Sequence, residues 1–405
     1  MAKKHCLIII LILFFLFNLE GIEINKDQEY TSIPDKFKKS LYGFIDKKGN
    51  IIIKPKFNAA YDFSEGLAGV DIYAERKKIY IDCYGKTSIE KNFDYNSKFS
   101  EGLARVGIER NQYYMNKDGK LVLGPFDWEN FRLYDFKEGL ANVYIINSHY
   151  CNNFINKKGV TIIKSAYEEV YSFSEGFAAV MVGRNSYYDE KRQAYISREK
   201  WGYIDKKGNL LIKGKFRSAS SFFEGLAMVD VKSIVQHGGI QERIGCKYGY
   251  INKKGKMVIK AKYDWAYAFS EGLAAVRKYN KKYFGYINKK GKYVIKPKFN
   301  LAMSFSEGLA AVMIKDKWGY INKEGKVVIE PKFDTGYYVH LYYFSEGLAA
   351  MQFNGKWGYI NKEGNWIVKP QFIEAYPFSE GLARVKVEKE TSAQCPSPSG
   401  GLNCP

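Results

Sequence analysis

Nine glutamates are the side chains best placed for chemistry in this chain of 405 residues, because each lies in a copy of the phrase Phe-Ser-Glu-Gly-Leu-Ala. Two carboxylates in unequal environments can act as general acid and base. Nine equivalent copies favour a structural role instead, in which each carboxylate accepts backbone N–H groups at a turn or pairs with lysine. The nine are Glu65, Glu101, Glu138, Glu175, Glu224, Glu271, Glu307, Glu346 and Glu380.

Carboxylates outside the repeated phrase leave a catalytic alternative open. Asp127, Glu129 and Asp135 lie close together in a degenerate stretch, and glycan hydrolysis needs two carboxylates roughly 5–10 Å apart. The four histidines are scattered, and the cysteines show no Cys-x-x-Cys or His/Cys ligand spacing. Nucleophile-elbow, phosphate-loop and dinucleotide fingerprints are missing from the sequence. We therefore predict no enzyme activity, no metal site and no cofactor.

A second phrase alternates with the first and reveals an internal repeat. Its form is Gly-Tyr-Ile-Asn-Lys-Lys-Gly-Lys, and together the two phrases define nine units of about 36 residues over 42–388. Residues 22–41 form a polar lead-in, and 389–405 form a low-complexity tail. The closing glycines of the second phrase are Gly49, Gly85, Gly119, Gly159, Gly208, Gly255, Gly291, Gly325 and Gly364.

The second phrase predicts a β-hairpin in every unit. Asn322 to Gly325 has the residue preferences of a type I turn that ends in a left-handed glycine, between two apolar strands. Proline soon afterwards, as at Pro331, indicates a strand end or an edge strand. With no helical period, the fold class is all-β: tandem antiparallel hairpin or meander repeats. The array forms a superhelical solenoid or a propeller-like ring, and nine units slightly favour the open form, since rings usually have four to eight blades.

The repeat resembles the bacterial WG (or KWG) repeat family. The resemblance rests on Lys317 to Gly325 together with Phe305 to Ala310, and it extends over nearly the whole chain after the leader. Units around Tyr80-Ile81, Tyr114-Met115 and Phe154-Ile155 are weaker members, because they lack the Trp-Gly pair. The resemblance implies an all-β repeat region of bacterial proteins that are often exported. It implies no established chemistry.

The tryptophans of the Trp-Gly pairs have two interpretations. Trp201, Trp318 and Trp357 are either stacking platforms for sugars or core residues between successive units. The second interpretation is favoured, because a repeat buries its apolar face only against its neighbour.

Charge is the most uneven part of the composition, with 63 Lys+Arg against 43 Asp+Glu and a net charge of +20. Lysine pairs at the hairpin turns predict a comb of positive charge along one edge, which can bind a polyanion. The alternative is that exposed tips need solvating side chains, with lysine frequent throughout the protein because of genomic base composition. No dedicated nucleic-acid motif is present. The pairs are at 47–48, 157–158, 206–207, 253–254 and 289–290.

Two insertions interrupt the repeat, at 183–200 and 232–247. Both fall between the Leu-Ala-x-Val strand and the next Gly-Tyr-Ile strand of neighbouring units, so we expect them to lie side by side. Loops on a rigid scaffold often carry function, although insertions without function are equally common. The candidate binding residues are Tyr187, Tyr188, Arg192, Arg198, His237 and Arg243.

The first 21 residues predict a secretory signal peptide. Lys3 and Lys4 precede an apolar run from Leu7 to Phe17, which is too short to span a bilayer, and Gly21 is a plausible cleavage position. An uncleaved anchor is the alternative. After cleavage no transmembrane span remains, and Cys395 and Cys404 are near enough in sequence to close a small loop.

These features predict an exported, monomeric module, periplasmic, surface-bound or secreted, that binds a protein or an anionic glycan of the envelope. A purely structural envelope spacer is the first alternative. A glycan-processing enzyme on the same scaffold is the second.

Overall fold

The computed structural model describes nearly all of the repeat region. The ranges are 40–146, 151–165, 167–189, 194–231, 234–237, 240–242, 247–278, 281–334 and 342–388. The leader, most of the lead-in, the tail with Cys395 and Cys404, and the candidates Arg192 and Arg243 lie outside the described residues. Within these ranges no helix is long and apolar enough to cross a membrane, and the one helical element is a 3₁₀ turn at Tyr73–Glu75.

Short antiparallel strands make up the described chain. The strands of the first half are β1 (Ser40–Ile45), β2 (Ile51–Phe57), β3 (Ala59–Ala60), β4 (Ala68–Ile72), β5 (Lys77–Ile81), β6 (Thr87–Ile89), β7 (Tyr95–Asn96), β8 (Leu103–Ile108), β9 (Asn111–Asn116), β10 (Leu121–Asp127), β11 (Phe131–Leu133), β12 (Leu140–Ile145), β13 (Cys151–Asn156), β14 (Thr161–Ile163), β15 (Ala178–Asp189), β16 (Ala194–Ile204) and β17 (Leu210–Phe216).

The second half continues the same pattern. Its strands are β18 (Ser218–Ala219), β19 (Leu226–Asp230), β20 (Ile234–His237), β21 (Ile240–Glu242), β22 (Tyr248–Asn252), β23 (Met257–Ala266), β24 (Leu273–Lys278), β25 (Phe284–Asn288), β26 (Tyr293–Phe299), β27 (Leu301–Ala302), β28 (Ala310–Ile314), β29 (Lys317–Ile321), β30 (Val327–Phe333), β31 (Ala349–Phe353), β32 (Lys356–Ile360), β33 (Trp366–Phe372), β34 (Glu374–Ala375) and β35 (Ala383–Glu388).

These strands form nine meanders, most of which have four strands that follow one another along the chain. The eighth has three described strands, β31 to β33, and the fifth and sixth share one seven-stranded sheet. The seventh meander is typical: β27, β28, β29 and β30 pair in that order. Its second and third strands are buried on both faces, whereas the fourth alternates between exposed and buried residues. We number the meanders from the one that starts at β3, so the third, fourth, fifth and sixth start near 131, 170, 218 and 264. β23 is long enough to serve both the fifth and the sixth.

The array closes on itself at the ninth meander. β34 and β35 come from the C-terminal end of the described chain, β1 and β2 from its N-terminal end, and the four form one sheet. β1 and β35 pair over six residue pairs, from Ser40 opposite Glu388 to Ile45 opposite Ala383. The slight preference for an open array is therefore wrong. Closure removes the unpaired edges that β1 and β35 would otherwise expose.

The glycine of the Trp-Gly pair permits a close approach between the third and fourth strands. A Cβ on Gly319 would lie 2.5 Å from the Ile329 carbonyl oxygen and 2.7 Å from the Pro331 nitrogen. The register shifts at this point of the strand pair. Pro331 thus lies inside β30, an edge strand, so the alternative that proline ends the strand is wrong, and the alternative of an edge strand is confirmed. The same approach occurs at Gly43, Gly202, Gly249, Gly285 and Gly358.

Antiparallel connection gives the array two different rims. The turns between first and second strands and between third and fourth strands share one end of the sheets, which we call the turn rim. The connections between second and third strands lie at the opposite end, which we call the variable rim. Both insertions are connections of this second kind, in the fourth and fifth meanders. The two ends of the described chain also leave the array at the variable rim, after β35 and before β1.

Candidate functional site

The nine repeated glutamates occupy tight hairpin turns on the turn rim. In the first meander, Ser64 and Leu67 exchange backbone hydrogen bonds of 3.0 and 3.3 Å around Glu65 and Gly66. Both central residues have positive φ, 57° and 89°, which defines a type I′ turn. Asn, Asp or Gly usually occupies the first central position, because a left-handed residue with a larger side chain costs roughly 1–2 kcal/mol. Glutamate at this position in all nine turns indicates that its side chain compensates for the strain.

Each of these carboxylates accepts a hydrogen bond from the backbone of the next meander. A Glu65 oxygen lies 2.9 Å from the Gly102 nitrogen, and the same bond recurs at 2.8–3.1 Å around the array. Between the ninth and first meanders, at the contact that we call the closing joint, Glu380 accepts hydrogen bonds from the backbone nitrogens of both Glu65 and Gly66. The other acceptor and donor pairs are Glu101–Gly139, Glu138–Gly176, Glu175–Gly225, Glu224–Gly272, Glu271–Gly308, Glu307–Gly347 and Glu346–Gly381.

A lysine from the next meander completes eight of the nine joints. The Nζ of Lys323 lies 3.0 Å from the Glu271 carboxylate. Partial burial by itself would raise the pKa of the Glu271 carboxyl, but hydrogen bonds from Lys323 and the Gly308 N–H outweigh it and hold the pKa below its usual value. The other pairs are Lys47–Glu346, Lys117–Glu65, Lys157–Glu101, Lys206–Glu138, Lys253–Glu175, Lys289–Glu224 and Lys362–Glu307.

The structural interpretation of the repeated glutamates is thereby confirmed in both of its forms. Each carboxylate accepts backbone N–H groups, and eight of them also pair with lysine. The nine glutamates therefore form a closed ring of contacts, in which each carboxylate joins its own meander to the next one. Seven serine hydroxyls follow the same path, as Ser379 shows by donating to the Phe63 carbonyl across the closing joint at 2.8 Å.

The closing joint lacks its lysine because Cys83 occupies that position in the turn at Asp82–Gly85. Cys83 is an exposed free cysteine. In the other eight meanders, the lysine at this position contacts the glutamate of the preceding meander. A lysine at position 83 would place a cation near the corresponding glutamate, Glu380. We expect Cys83→Lys to stabilise the protein by about 0.5 kcal/mol, the usual size of a surface ion pair. Thermal melting followed by circular dichroism at low salt should show a rise in Tm of about 1 °C.

The matched control is Cys83→Gln, which has a similar length without the charge. The gain of the lysine variant should shrink in 1 M NaCl, where exposed charges are screened over a few ångströms. A glutamine variant that is as stable as the lysine variant would contradict an ionic origin of the gain.

The Trp-Gly tryptophans are core residues, as favoured from the sequence. Trp201, Trp318 and Trp357 are 3%, 0% and 2% exposed. Trp318 and Trp357 both contact the ring of Tyr342, with centroids 5.4 and 5.6 Å away. Rings this deeply buried cannot act as surface platforms for sugars.

Two of the carboxylates outside the repeat have structural partners. Asp127 accepts hydrogen bonds from the backbone nitrogen of Glu129, at 2.7 Å, and from the side chain of Asn130, as a turn-stabilising aspartate does. Asp135 accepts from Arg105 Nε at 2.7 Å. Burial tends to lower the pKa of Arg105, but Asp135 and other neighbours outweigh it and raise that pKa.

The two insertions lie side by side, as the repeat pattern predicted. β15 and β16 extend the second and third strands of the fourth meander into a long hairpin. β20, from the insertion of the fifth meander, pairs with β16 through Ile196 opposite Val235, and β21 pairs with β20. These four strands and β17 form one antiparallel sheet. The parts of β15 and β16 that extend beyond Met181 and Trp201 at the variable rim, together with β20 and β21, are what we call the insertion sheet.

Four of the six candidate binding residues lie on strands of the insertion sheet. Tyr187 and Tyr188 lie on β15, Arg198 on β16 and His237 on β20. Their backbones are described and their side chains are not. The adjacency of the two insertions could be predicted because insertions at equivalent points of adjacent repeats lie on one face.

The two lysines of each pair at the turns have different environments. Both lysines of each pair are exposed, but the first forms an ion pair with a glutamate of the preceding meander, whereas the second pairs with no described carboxylate. Sequence reasoning missed a further set of exposed lysines on the fourth strands. These lysines become apparent in the sequence when the nine units are aligned on their closing glycines.

The structure defines the class of protein: a closed all-β repeat array whose units are joined by glutamates of their own turns. A model of the WG containing repeat matches residues 42–72, 154–185, 201–232, 248–283, 284–318, 318–357 and 357–390. These segments make up more than half of the chain, so the protein belongs to the WG repeat family. Two of the three units with the weakest signature fall in the unmatched stretch, and the third, from Phe154, is matched.

No curated protein matches the chain. Solved structures resemble it distantly. AztD from Citrobacter koseri is 10% identical with a TM-score of 0.38 over 86% of this chain and 98% of its own. BamB from Moraxella catarrhalis is 8% identical with a TM-score of 0.34 over 91% and 96%, and the computationally designed Ika8 protein is 9% identical with a TM-score of 0.36 over 77% and 95%. Similarity this low carries no argument about function.

Proposed function

We propose that this protein is an exported, non-catalytic binding module that attaches to a protein or glycan of the bacterial envelope through its insertion sheet. The pairing of β16 with β20 is the observation that carries the proposal. It joins the insertions at 183–200 and 232–247 into one surface. Elsewhere the described connections between second and third strands are short, such as the two-residue turn Lys315–Asp316.

The scaffold supports a binding role because it is rigid where the insertion sheet emerges. Met181 and Trp201, the last paired residues of the ordinary hairpin, are 1% and 3% exposed. A surface mounted on buried strands loses little freedom when a partner binds, which favours affinity. β21 pairs with no other described strand besides β20, and an open sheet edge can accept an extended segment of a protein partner.

Catalysis is disfavoured by what the carboxylates contact. The nine repeated glutamates join the meanders, Asp127 stabilises a turn, and Asp135 pairs with Arg105. Export rests on the basic and apolar leader at 1–21 alone.

The test uses two replacements that restore ordinary turns. Val182 and Lys200 align with Ile314 and Lys317, so residues 183–199 are replaced by the Lys-Asp turn of the seventh meander. Residues 232–246 are replaced in the same way between Val231 and Lys247, which already share a backbone hydrogen bond. Co-sedimentation with envelope fractions of the producing bacterium is then measured for the full chain and the double replacement. The matched control is a chain that ends at Glu388.

Envelope binding that is kept by the control and lost in the double replacement supports the proposal. Equal sedimentation of both variants would favour the structural spacer, in which the insertions have no binding role. Recovery of the tagged protein in the cytoplasm with its leader intact would contradict export. Release of sugars from envelope glycans by the purified protein would favour the glycan-processing alternative.

A further inference from the structure

Exposed lysines are concentrated on one part of the array, in a way that the repeat itself does not require. The residue before the closing glycine of each turn is lysine in the third to sixth meanders and again in the ninth, at Lys48, and it is acidic or tyrosine in the other four. Those lysines are Lys158, Lys207, Lys254 and Lys290. The flanking residues at the same position are Tyr84 and Asp118 before them and Glu324 and Glu363 after them.

The fourth strands show a similar distribution of lysine. Five residues after the closing glycine, on the exposed face of the strand, the third to sixth meanders again have lysine. These are Lys164, Lys213, Lys260 and Lys296. The corresponding residues of the first, second, seventh, eighth and ninth meanders are Glu90, Gly124, Glu330, Lys369 and Lys54. We call the eight lysines of the third to sixth meanders the basic sector. The third to sixth meanders are four adjacent units with lysine at both positions, whereas the ninth, which also has both, lies between two units that do not.

The ammonium groups of the basic sector are available to a ligand. All eight residues are exposed, and no described side chain pairs with their Nζ atoms. Carboxylates of the same meanders are already engaged elsewhere, as Glu175 is with Lys253 and Asp264 with Arg277. The local positive charge is therefore not neutralised within the described structure.

The arrangement indicates the chemistry of the partner. Lysines at two equivalent positions on four adjacent sheets form a periodic row, which suits a chain with repeated negative charges. Lysine is a point charge on a flexible stem, so it contacts sulfate or carboxylate groups without fixed geometry. The exposed aliphatic residue two positions before each strand lysine does not mark the sector. Leu211 and Val258 have equivalents outside it in Ile52 and Val328. The sector differs from the rest of the array in charge alone, which argues against a lipid surface.

We propose that the basic sector binds a linear anionic polysaccharide that bears carboxylate or sulfate groups. This surface is separate from the insertion sheet, so the proposal stands or fails independently of the proposed function above. A polymer lying along the third to sixth meanders contacts the exposed lysines and leaves the lysines that join the meanders undisturbed.

The test compares two variants that lose the same number of charges. The sector variant carries Lys207→Gln, Lys213→Gln, Lys254→Gln and Lys260→Gln. The matched control carries Lys48→Gln, Lys54→Gln, Lys326→Gln and Lys369→Gln, which are exposed lysines outside the sector. Binding of fluorescent alginate and dextran sulfate is titrated at several salt concentrations, with neutral dextran as the ligand control. All eight side chains are exposed, so unchanged thermal melting verifies that both variants fold.

The sector variant should bind the anionic polymers at least 10-fold more weakly than the unmodified protein, while the control weakens by less than about 2-fold. The affinity of the sector variant should also depend less steeply on salt concentration than that of the unmodified protein, because fewer ion contacts form. Equal weakening of both variants would overturn the proposal, since binding would then follow net charge alone. Absence of binding to either polymer, or equal sector-dependent binding to anionic phospholipid vesicles or duplex DNA, would overturn it as well.

Discussion

Replacing Gly319 with alanine is expected to destabilise the protein by about 3 kcal/mol or more. The new Cβ would lie 2.5 Å from the Ile329 carbonyl oxygen, 2.7 Å from the Pro331 nitrogen and 2.9 Å from the Pro331 Cα. All three are backbone atoms of β30, so no side-chain rotation relieves the overlap. The strand must move, and that displaces Phe333, which is fully buried opposite Trp318. Denaturant unfolding followed by circular dichroism measures the loss.

Two glycines provide matched controls for this substitution. Gly183 has ordinary φ and no atom within 4 Å of an added Cβ, so Gly183→Ala should change stability very little. Gly308 also has free space, but its φ is +86°, so Gly308→Ala should cost about 1 kcal/mol through backbone strain alone. A Gly319 variant that is as stable as the Gly183 variant would show that β30 can move away without penalty.

Ending the chain at Leu382 is expected to open the array and lower its stability by about 5 kcal/mol. This truncation removes β35, including Val385, and exposes Phe44 and Ile45 of β1, all at most 1% exposed in the intact protein. Each fully buried side chain of this size contributes roughly 1.5–3 kcal/mol. The salt bridge between Arg384 and Asp62, 2.6 Å long, is lost too. Thermal melting should show a large drop in Tm, and size-exclusion chromatography should show association through the exposed edge of β1.

The control for this truncation ends at Glu388, which removes only the tail. That variant should melt within about 1 °C of the full chain, because β35 and its pairing with β1 are intact. If the two truncations melted at the same temperature, closure through β1 and β35 would contribute nothing to stability.

Local features of the fold could be predicted because they depend on residues close together in the chain. In the turn at Asn322–Gly325, the Gly325 nitrogen donates to the Asn322 carbonyl at 2.9 Å, and Gly325 has a φ of 81°, as the turn residues predicted. The all-β class follows from the same turns and from the absence of a helical period. The burial of Trp318 was also predictable, because a repeated aromatic residue can be buried against the next unit.

Sheet membership could not be predicted in the same way. The repeated sequence unit starts at the Gly-Tyr-Ile strand, whereas the structural meander starts two strands earlier, at the short strand before the Glu–Gly turn. A tandem repeat has no unique starting point in the sequence, because every frame has the same period. Hydrogen bonding between strands selects the frame, and closure of β1 against β35 is its clearest consequence.

The two candidate surfaces also differ in whether the sequence could predict them. The two insertions were expected to lie side by side, and the pairing of β16 with β20 confirms that they do. The basic sector was not expected, because the lysine pairs were considered without the acidic residues that replace them elsewhere. Glu324 and Glu363 are as visible in the sequence as Lys254, but the contrast has meaning only once equivalent positions are known to share one exposed face.

By itself, the sequence determined the strand content, the turn chemistry, the ninefold period and the structural role of the repeated glutamates. Tertiary structure alone decided that the ninth unit meets the first and that the glutamate at position 380 accepts from the turn at 65–66. The physical reason is that turns and hairpins depend on contacts within a few residues. Closure depends on the small rotation between neighbouring sheets, added over nine of them, which no single motif specifies.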